Sequence, residues 1–433
     1  MSVIAAFAVP HPPLIIPEIG KGDENIVKKT IESYNAIAKE IAKLKPETII
    51  ISSPHTACFK DYFYISSKPV MKGTFKNFGA SNVSFEEEID VELVNEIESI
   101  SSSENFPAGG IEENIELDHG TMVPLYFIRK EYFNCKIIVV GLSGLSLQKH
   151  YDFGKIINRA ITNLGRKVVF VASGDLSHKL QEKGPYGFIE EGPIYDDMIQ
   201  KTLTSANFSE LLIYDEELLE KCAQCGHPSF TIMAGVLDQI EVKPKFYSHE
   251  DATGVGYGIW SFYPNDIYVK LARDTIYTYI KENRKIDIPN NLPEELKNDR
   301  KGTFVSIHKK GNLRGCIGTF LPVHENLASE IIENAILASS KDPRFSKITK
   351  DELEDLEINV DILSTPEKID SIEDLDPKRY GVIVQKGFKR GLLLPDLEGV
   401  NTVEDQISIA KQKAGIKDNE EVMLQRFEVI RHK

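Results

Sequence analysis

Four histidines stand just past apolar runs or in short polar loops: His11 in Pro10-His11-Pro12-Pro13, His55 in Ser53-Pro54-His55, His119 in Asp118-His119-Gly120 and His178 in Gly174-Asp175-Leu176-Ser177-His178. Imidazole both binds transition metals and moves protons near neutral pH. A lone histidine between prolines usually caps a turn carbonyl. Recurrence at equivalent positions is different, because rings gathered in one crevice either hold a metal or depress each other's pKa. Flanking prolines restrict the backbone and would keep such a ligand in fixed geometry.

The elements that must position these rings alternate along the first half of the chain. Nearly continuous apolar runs predict strands at Val3–Val9, Thr48–Ser53, 136–140 and Val168–Ser173. Helical spacing predicts amphipathic helices over 24–44 and 151–164. Strand–helix alternation with strands apolar on both sides predicts an α/β domain, a mostly parallel sheet covered by helices on both faces. Ligands of open α/β sheets bind beyond the carboxyl ends of the strands, where His11, His55 and His178 would arrive from three different strands, while His119 is expected in a loop. In the run Thr253-Gly-Val-Gly-Tyr257-Gly-Ile-Trp260 the glycines either let backbone approach the site or mark a bulge in an edge strand. Tyr257 within it reads as core, with a pocket role as the alternative.

A boundary is expected at 262/263, where Tyr263-Pro264-Asn265-Asp266 ends this pattern and a fresh helical periodicity begins. Domains of 1–262 and 263–433 follow. The second contains Lys309-Lys310-Gly311-Asn312-Leu313-Arg314-Gly315-Cys316-Ile317-Gly318, a hairpin turn leading into a strand twice interrupted by glycine. Glycine there is costly unless a ligand or another backbone must come close. Two-residue spacing puts Arg314 and Cys316 on one face, and Asp342 and Arg344 are expected to return to the same groove. Arg314 suits a carboxylate or phosphate; the plainer expectation is an ion pair with Asp342 or Glu357.

Composition bounds these readings. The chain has 433 residues, 41% of them hydrophobic, with 51 basic and 66 acidic side chains for a net charge of −15. This excludes disordered, collagen-like and disulfide-stapled classes. Residues 1–262 carry 24 basic and 36 acidic side chains against 27 and 30 in 263–433, so the first part should repel polyanions. Two basic clusters in the second part, Lys309-Lys310 with Arg314 and Lys386 with Lys389-Arg390, read as solvated turns ahead of a nucleic-acid surface. No run approaches a membrane span and the start lacks a basic leader, so a cytoplasmic protein with reduced thiols is expected from its five cysteines. Cys222 and Cys225 form a lone C-x-x-C without the second half of a zinc site.

The order His11-Pro-Pro, Pro54-His55, Asp118-His119-Gly, Gly174-Asp175-Leu-Ser-His178 and Cys225-Gly226 resembles the class III extradiol ring-cleavage dioxygenases of LigB type, in particular their Memo-like branch, over about residues 1–262. The resemblance implies His11 and His55 as imidazole ligands of non-haem Fe(II), His178 as the acid/base for a substrate hydroxyl, His119 lining the pocket, and Asp175 holding a histidine in its working tautomer. Where a dioxygenase would offer Glu, the chain has Ala223-Gln224-Cys225-Gly226-His227-Pro228. Cys225 matches the Memo-like proteins, and a thiolate would admit zinc or copper as well as iron. Gln224 or His227 remain alternatives, as does an inert buried thiol ahead of a helix expected at 229–237. A cysteine at such a helix start is expected to have a lowered pKa.

The second domain resembles the AMMECR family, an α+β fold, through Leu313-Arg-Gly-Cys316-Ile-Gly and Asp342-Pro-Arg344-Phe. The fusion resembles the AmmeMemoRadiSam arrangement, which implies a separate radical S-adenosylmethionine protein as partner. The function implied is a metal-dependent oxidoreductase acting on an aromatic diol or similar small oxygenated substrate. The alternative is a non-catalytic metal-binding or peptide-binding adaptor of the Memo type. A third possibility, RNA binding through the basic clusters, predicts affinity that falls steeply with salt.

Overall fold

The structure is a computed structural model that describes residues 3–290, 292–397 and 399–432. It divides into two compact units between Pro264 and Asn265. The elements used below are, in the first unit, β1 (Val3–Val9), α1 (Lys28–Leu44), β2 (Thr48–Ser53), α2 (His119–Glu131), β3 (Lys136–Gly141), α3 (Leu147–Leu164), β4 (Val168–Ser173), α4 (His227–Val236), β5 (Val242–Glu250) and β6 (Tyr257–Pro264). In the second they are α5 (Ile267–Glu282), β7 (Thr303–Lys309), β8 (Asn312–Thr319), α6 (Leu327–Ser340), β9 (Leu356–Leu363), β10 (Glu367–Ile369), β11 (Tyr380–Lys386), β12 (Lys389–Leu393), α7 (Val403–Ala414) and β13 (Met423–His432).

The first sheet has the order β3-β2-β4-β1-β6-β5. Its first four strands are parallel, and β6 and β5 close it antiparallel. Helices α1 and α2 pack on each other, as do α3 and α4, and both α2 and α4 reach β2 and β4. The two pairs therefore cover opposite faces. This explains the unbroken apolar runs: Ile49, Ile50 and Ile51 are all fully buried, as are Val169 and Phe170, because neither face meets water. β6 is an interior strand between β1 and β5, with a bulge between Ile259 and Trp260.

Several expected bounds shift for local reasons. The helix expected over 24–44 is α-helical only from Lys28, because Asp23–Val27 forms a 3-10 turn. The helix expected over 151–164 starts earlier, at Leu147, capped by the Ser146 side chain accepting from the Lys149 amide. His119 is not in a loop: it is the first residue of α2, with Asp118 as the cap accepting from the Thr121 amide.

The second unit is α+β, a fully antiparallel sheet in the order β8-β7-β9-β13-β11-β12, with β10 also paired to β13. Helix α6 packs on β7 and β8, α5 on β9, and α7 on β11 and β12. Gly315 is required by a close approach of backbone: a Cβ there would sit 2.3 Å from the Ala338 carbonyl oxygen of α6. No helix among the described residues is long and apolar enough to cross a membrane.

Candidate metal centre

Strand order and register bring the site together. β4 lies between β1 and β2, and Val9 pairs with Ser173 while Ser52 pairs with Ala172, so the three parallel strands end at one level. His11, Asp175 and His55 each follow two residues beyond their strand. Two strand spacings separate β1 from β2, roughly 10 Å, a gap that two facing imidazoles can bridge. The His11 and His55 Nε2 atoms lie 2.9 Å apart. Cys225 comes from the turn before α4, and its Sγ is 3.6 Å from His11 Nε2. Ligand atoms of His11, His55 and Cys225 all lie within 4.8 Å of one another.

Several contacts hold this geometry. Tyr34, fully buried in α1, donates its hydroxyl to the Pro10 carbonyl and fixes the turn that presents His11. The Asp175 carboxylate accepts from the His11 amide at 2.8 Å, and the Asp175 amide donates to Cys225 Sγ at 3.2 Å. Gly174 lets the end of β4 touch the start of α4, since a Cβ there would lie 2.1 Å from Gly226 Cα. On the other side, Ser53 Oγ donates to Asp118 at 2.6 Å and accepts from the His55 amide at 3.2 Å. The His55 and His119 rings stack with centroids 4.1 Å apart.

The tautomer of His11 follows from a neighbour that sequence reasoning missed. Ser173 Oγ donates to the Gly120 carbonyl at 2.6 Å, so toward His11 Nδ1, 2.9 Å away, it accepts. The proton is on Nδ1, and the Nε2 lone pair faces His55 and Cys225. Asp175 therefore does not set a histidine tautomer as expected: its contact with His11 is to the amide, and its Oδ2 lies 4.0 Å from Nε2.

Electrostatics suit a cation. Burial, then the neighbouring rings of His55, His119 and His178, hold the His11 pKa well below its usual value. His55 opens to solvent, yet the protein mass around its ring also lowers its pKa, against the Asp118 charge. Burial likewise brings His119 and His178 to about 4. Neutral imidazoles are the metal-binding form. Asp175 is pushed up to about 7 by burial. The expected lowering of the Cys225 pKa is corrected: burial raises it well above the usual thiol value, Asp175 adds to that, and the backbone donors only partly offset it. A buried thiol beside a carboxylate is charged at neutral pH only when a cation compensates it.

The donor set fits a metal. Three neutral or neutralised ligand atoms converge, and His178 Nε2 is buried without a hydrogen-bond partner among the described residues. Asp175, His178 and Cys225 form a second, overlapping group, so a carboxylate is present after all, delivered by β4. Gln224 and His227 are not part of it. Gln224 Oε1 accepts from the His227 amide at 2.7 Å, and the His227 ring is engaged with the Leu211 carbonyl at 2.8 Å. Helix α4 begins at His227, two residues before the expected start. Cys222 Sγ points away, toward the Glu191 carbonyl, while its own carbonyl accepts from the His178 amide. The glycine run approaches the site through backbone: Leu176 donates to the Gly256 carbonyl and Gly256 to the Ser177 carbonyl, bracing the loop that carries His178. Tyr257 is buried in the core, its hydroxyl accepting from Thr253.

In the second unit the face-sharing of Arg314 and Cys316 is corrected. A bulge lies opposite Ile307 and His308, where Gly315 pairs with Ile307 and Leu313 with His308, leaving Arg314 as the extra residue. Leu313 and Cys316 line the concave side and Arg314 does not. Its ion pair is with neither Asp342 nor Glu357 but with Glu352, through Nε and Nη2 at 3.0 Å each. Asp342, Arg344 and Cys316 do meet: Asp342 accepts from the Cys316 amide at 2.8 Å and from Arg344 at 3.0 and 2.7 Å. The basic clusters are engaged locally, Lys309 with Glu352, Lys386 with Glu420 and Lys389 with the Gly415 carbonyl.

Residues 5–260 match the family described as the catalytic LigB subunit of aromatic ring-opening dioxygenase, and residues 269–432 match AMMECR1. A protein of Clostridium acetobutylicum is 40% identical across 100% of both chains. A protein of Thermotoga maritima is 54% identical over 38% of this chain and 97% of its own length. Among solved structures, an uncharacterized protein of Pyrococcus horikoshii aligns with a TM-score of 0.36 at 30% identity, covering 39% of this chain and 89% of that one.

Proposed function

We propose a metal-dependent oxidoreductase, from the premise that the chain belongs to the LigB family of aromatic ring-opening dioxygenase catalytic subunits and carries an AMMECR1 domain behind it. The observation that carries the proposal is the convergence of His11 Nε2, His55 Nε2 and Cys225 Sγ, with the His11 lone pair turned inward by Ser173.

In this reading His11, His55 and Cys225 hold the ion, which is non-haem Fe(II), with zinc or copper as alternatives a thiolate admits. When bound, the ion would supply Lewis acidity toward a substrate bearing adjacent oxygens. His178, neutral at pH 7, takes a proton from a substrate hydroxyl at Nε2 and later returns it. His119, stacked on His55, orients the substrate's oxygens. Asp175 balances charge beside Cys225. A separate radical S-adenosylmethionine protein is proposed as partner, on the pairing of LigB and AMMECR1 domains in one chain.

The test is anaerobic purification with metal analysis of wild type beside Cys225→Ala, followed by assay with catechols under dioxygen. Stoichiometric iron, its loss in the variant and ring opening of a diol support the proposal. A second reading, a metal-binding adaptor without turnover, is favoured specifically by the thiol standing where a dioxygenase has a carboxylate. Bound metal with no diol turned over would select it.

A further inference from the structure

The antiparallel sheet of the second unit bends until its outer strands face one another. Leu313 and Cys316 on β8 stand at one end of the strand order and Leu392 on β12 at the other, yet they line one concave cavity of about 520 Å³. Small-molecule sites typically measure ~300–1,000 Å³. The cavity does not belong to the metal centre, whose residues all lie in the first unit.

Its composition is divided. Ser306 and His308 of β7 and Asn359 of β9 form a polar floor, while the alternate residues Val305, Ile307, Ile358 and Val360 face the core on the other side. One wall is apolar, made by Leu392, Leu394 and Leu397 with Phe304. Arg344, Lys413 and Arg431 supply three cations. Two are already answered: Arg431 grips Asp361 at 2.8 and 3.1 Å, and Arg344 grips Asp342. Lys413, exposed in the last turn of α7, reaches only the Leu392 carbonyl at 3.5 Å and forms no ion pair among the described residues. Burial lowers its pKa, Cys316 opposes this and the like charge of Arg344 adds to the lowering. An ammonium without an ion pair among the described residues, lining the same half-apolar cavity as the Arg344 guanidinium, is complementary to an anion with an apolar body.

We propose that this cavity binds a small organic anion, a carboxylate or phosphate on a short apolar body. The anionic group is answered by Lys413 and Arg344, and the body lies against Leu392, Leu394 and Leu397. Cys316, on the cavity wall with its sulfur accepting from Ser306 Oγ at 3.2 Å, reports occupancy.

Calorimetric titration of the full chain, stripped of metal, with octanoate and octyl phosphate tests this, with 1-octanol and octylammonium as probes of equal length. The expected result is saturable binding of at least one anion, with the stronger of the two identifying carboxylate or phosphate as the group recognised. Binding should slow alkylation of Cys316 by iodoacetamide, read on its own peptide by mass spectrometry so that the other cysteines do not interfere. Lys413→Gln, on an exposed helix turn, should weaken the anion about tenfold while leaving the melting temperature unchanged. If octanol or octylammonium binds as tightly as the anions, if Lys413→Gln leaves anion affinity unaltered, or if saturation does not protect Cys316, the proposal is overturned.

Discussion

Ser173 Oγ accepts from His11 Nδ1 at 2.9 Å because its own proton is committed to the Gly120 carbonyl, which makes β4 the element that turns the Nε2 lone pair of His11, two residues past β1, toward the site. Ser173→Ala removes the acceptor without touching a ligand atom. Outer contacts of this kind typically contribute ~10–100-fold to metal affinity. The expected outcome is a loss of that size in a competitive chelator titration, with the fold intact by circular dichroism. Unchanged affinity would mean that the tautomer is set elsewhere.

Asp175 makes the metal-free protein sensitive to pH in a direction opposite to most carboxylates. Its pKa is raised to about 7 by burial, so its contribution to stability is fully present below the ordinary carboxylate value near 4 and is lost as pH rises through 7. Asp175→Asn keeps an acceptor for the His11 amide and removes the charge. In chelator, melting temperatures of wild type and variant should converge near pH 4 and separate by pH 8, with wild type the lower. Saturating metal should reverse the order at pH 8, because a cation beside Cys225 and His11 stabilises the ionised carboxylate.

Legibility in the sequence follows the range of the forces involved. Strands Val3–Val9, Thr48–Ser53 and Val168–Ser173 are readable because both faces are buried and each run ends at a proline, a glycine or a polar turn. That one crevice receives His11, His55 and Asp175 follows from parallel strands sharing a carboxyl end, whereas Cys225 reaches it from the turn before α4. Ser173 is not readable: it is one more small residue at a strand end until Gly120, 53 residues earlier, engages its proton. The Cys225 pKa is not readable either: a helix start alone predicts a lowered thiol, and the degree of burial that raises it is set by the packed fold. The face that Arg314 takes is hidden from spacing, because two-residue spacing implies a shared face only in a regular strand and the bulge at Arg314 breaks that rule. Its partner Glu352 lies in a 3-10 turn, invisible to helix or strand periodicity.

Glu352 receives both Arg314 and Lys309 and also closes a capping box with Thr349. The Arg314 guanidinium, against the opposing effect of burial, holds its pKa at about 2. A depressed carboxylate contributes stability above its ordinary pKa, and that contribution is lost as pH falls through the interval from about 4.5 to 2. Glu352→Gln keeps the size and removes the charge. At pH 7 it should cost about 1–3 kcal/mol, with the difference from wild type shrinking toward pH 2, measured on the second unit's transition by calorimetry of the full chain. A difference that persists at pH 2 would assign the effect to the capping box alone.

His178 separates the two overlapping ligand groups. Its buried Nε2 has no hydrogen-bond partner among the described residues, and its ring lies 5.1 Å from that of Tyr186. If His11, His55 and Cys225 hold the ion, His178→Ala removes a proton carrier and no ligand. Metal content and affinity should then stay within about twofold of wild type, while turnover of any diol substrate falls ~10²–10⁴-fold, the span usual for losing a general base. If Asp175, His178 and Cys225 hold it instead, the same variant loses a coordinating nitrogen, and metal and turnover disappear together. His11→Ala supplies the converse: it empties the first group and leaves the second complete. Metal retained in His11→Ala and lost in His178→Ala would move the centre to the β4 side of the crevice and remove His178 from the acid/base role.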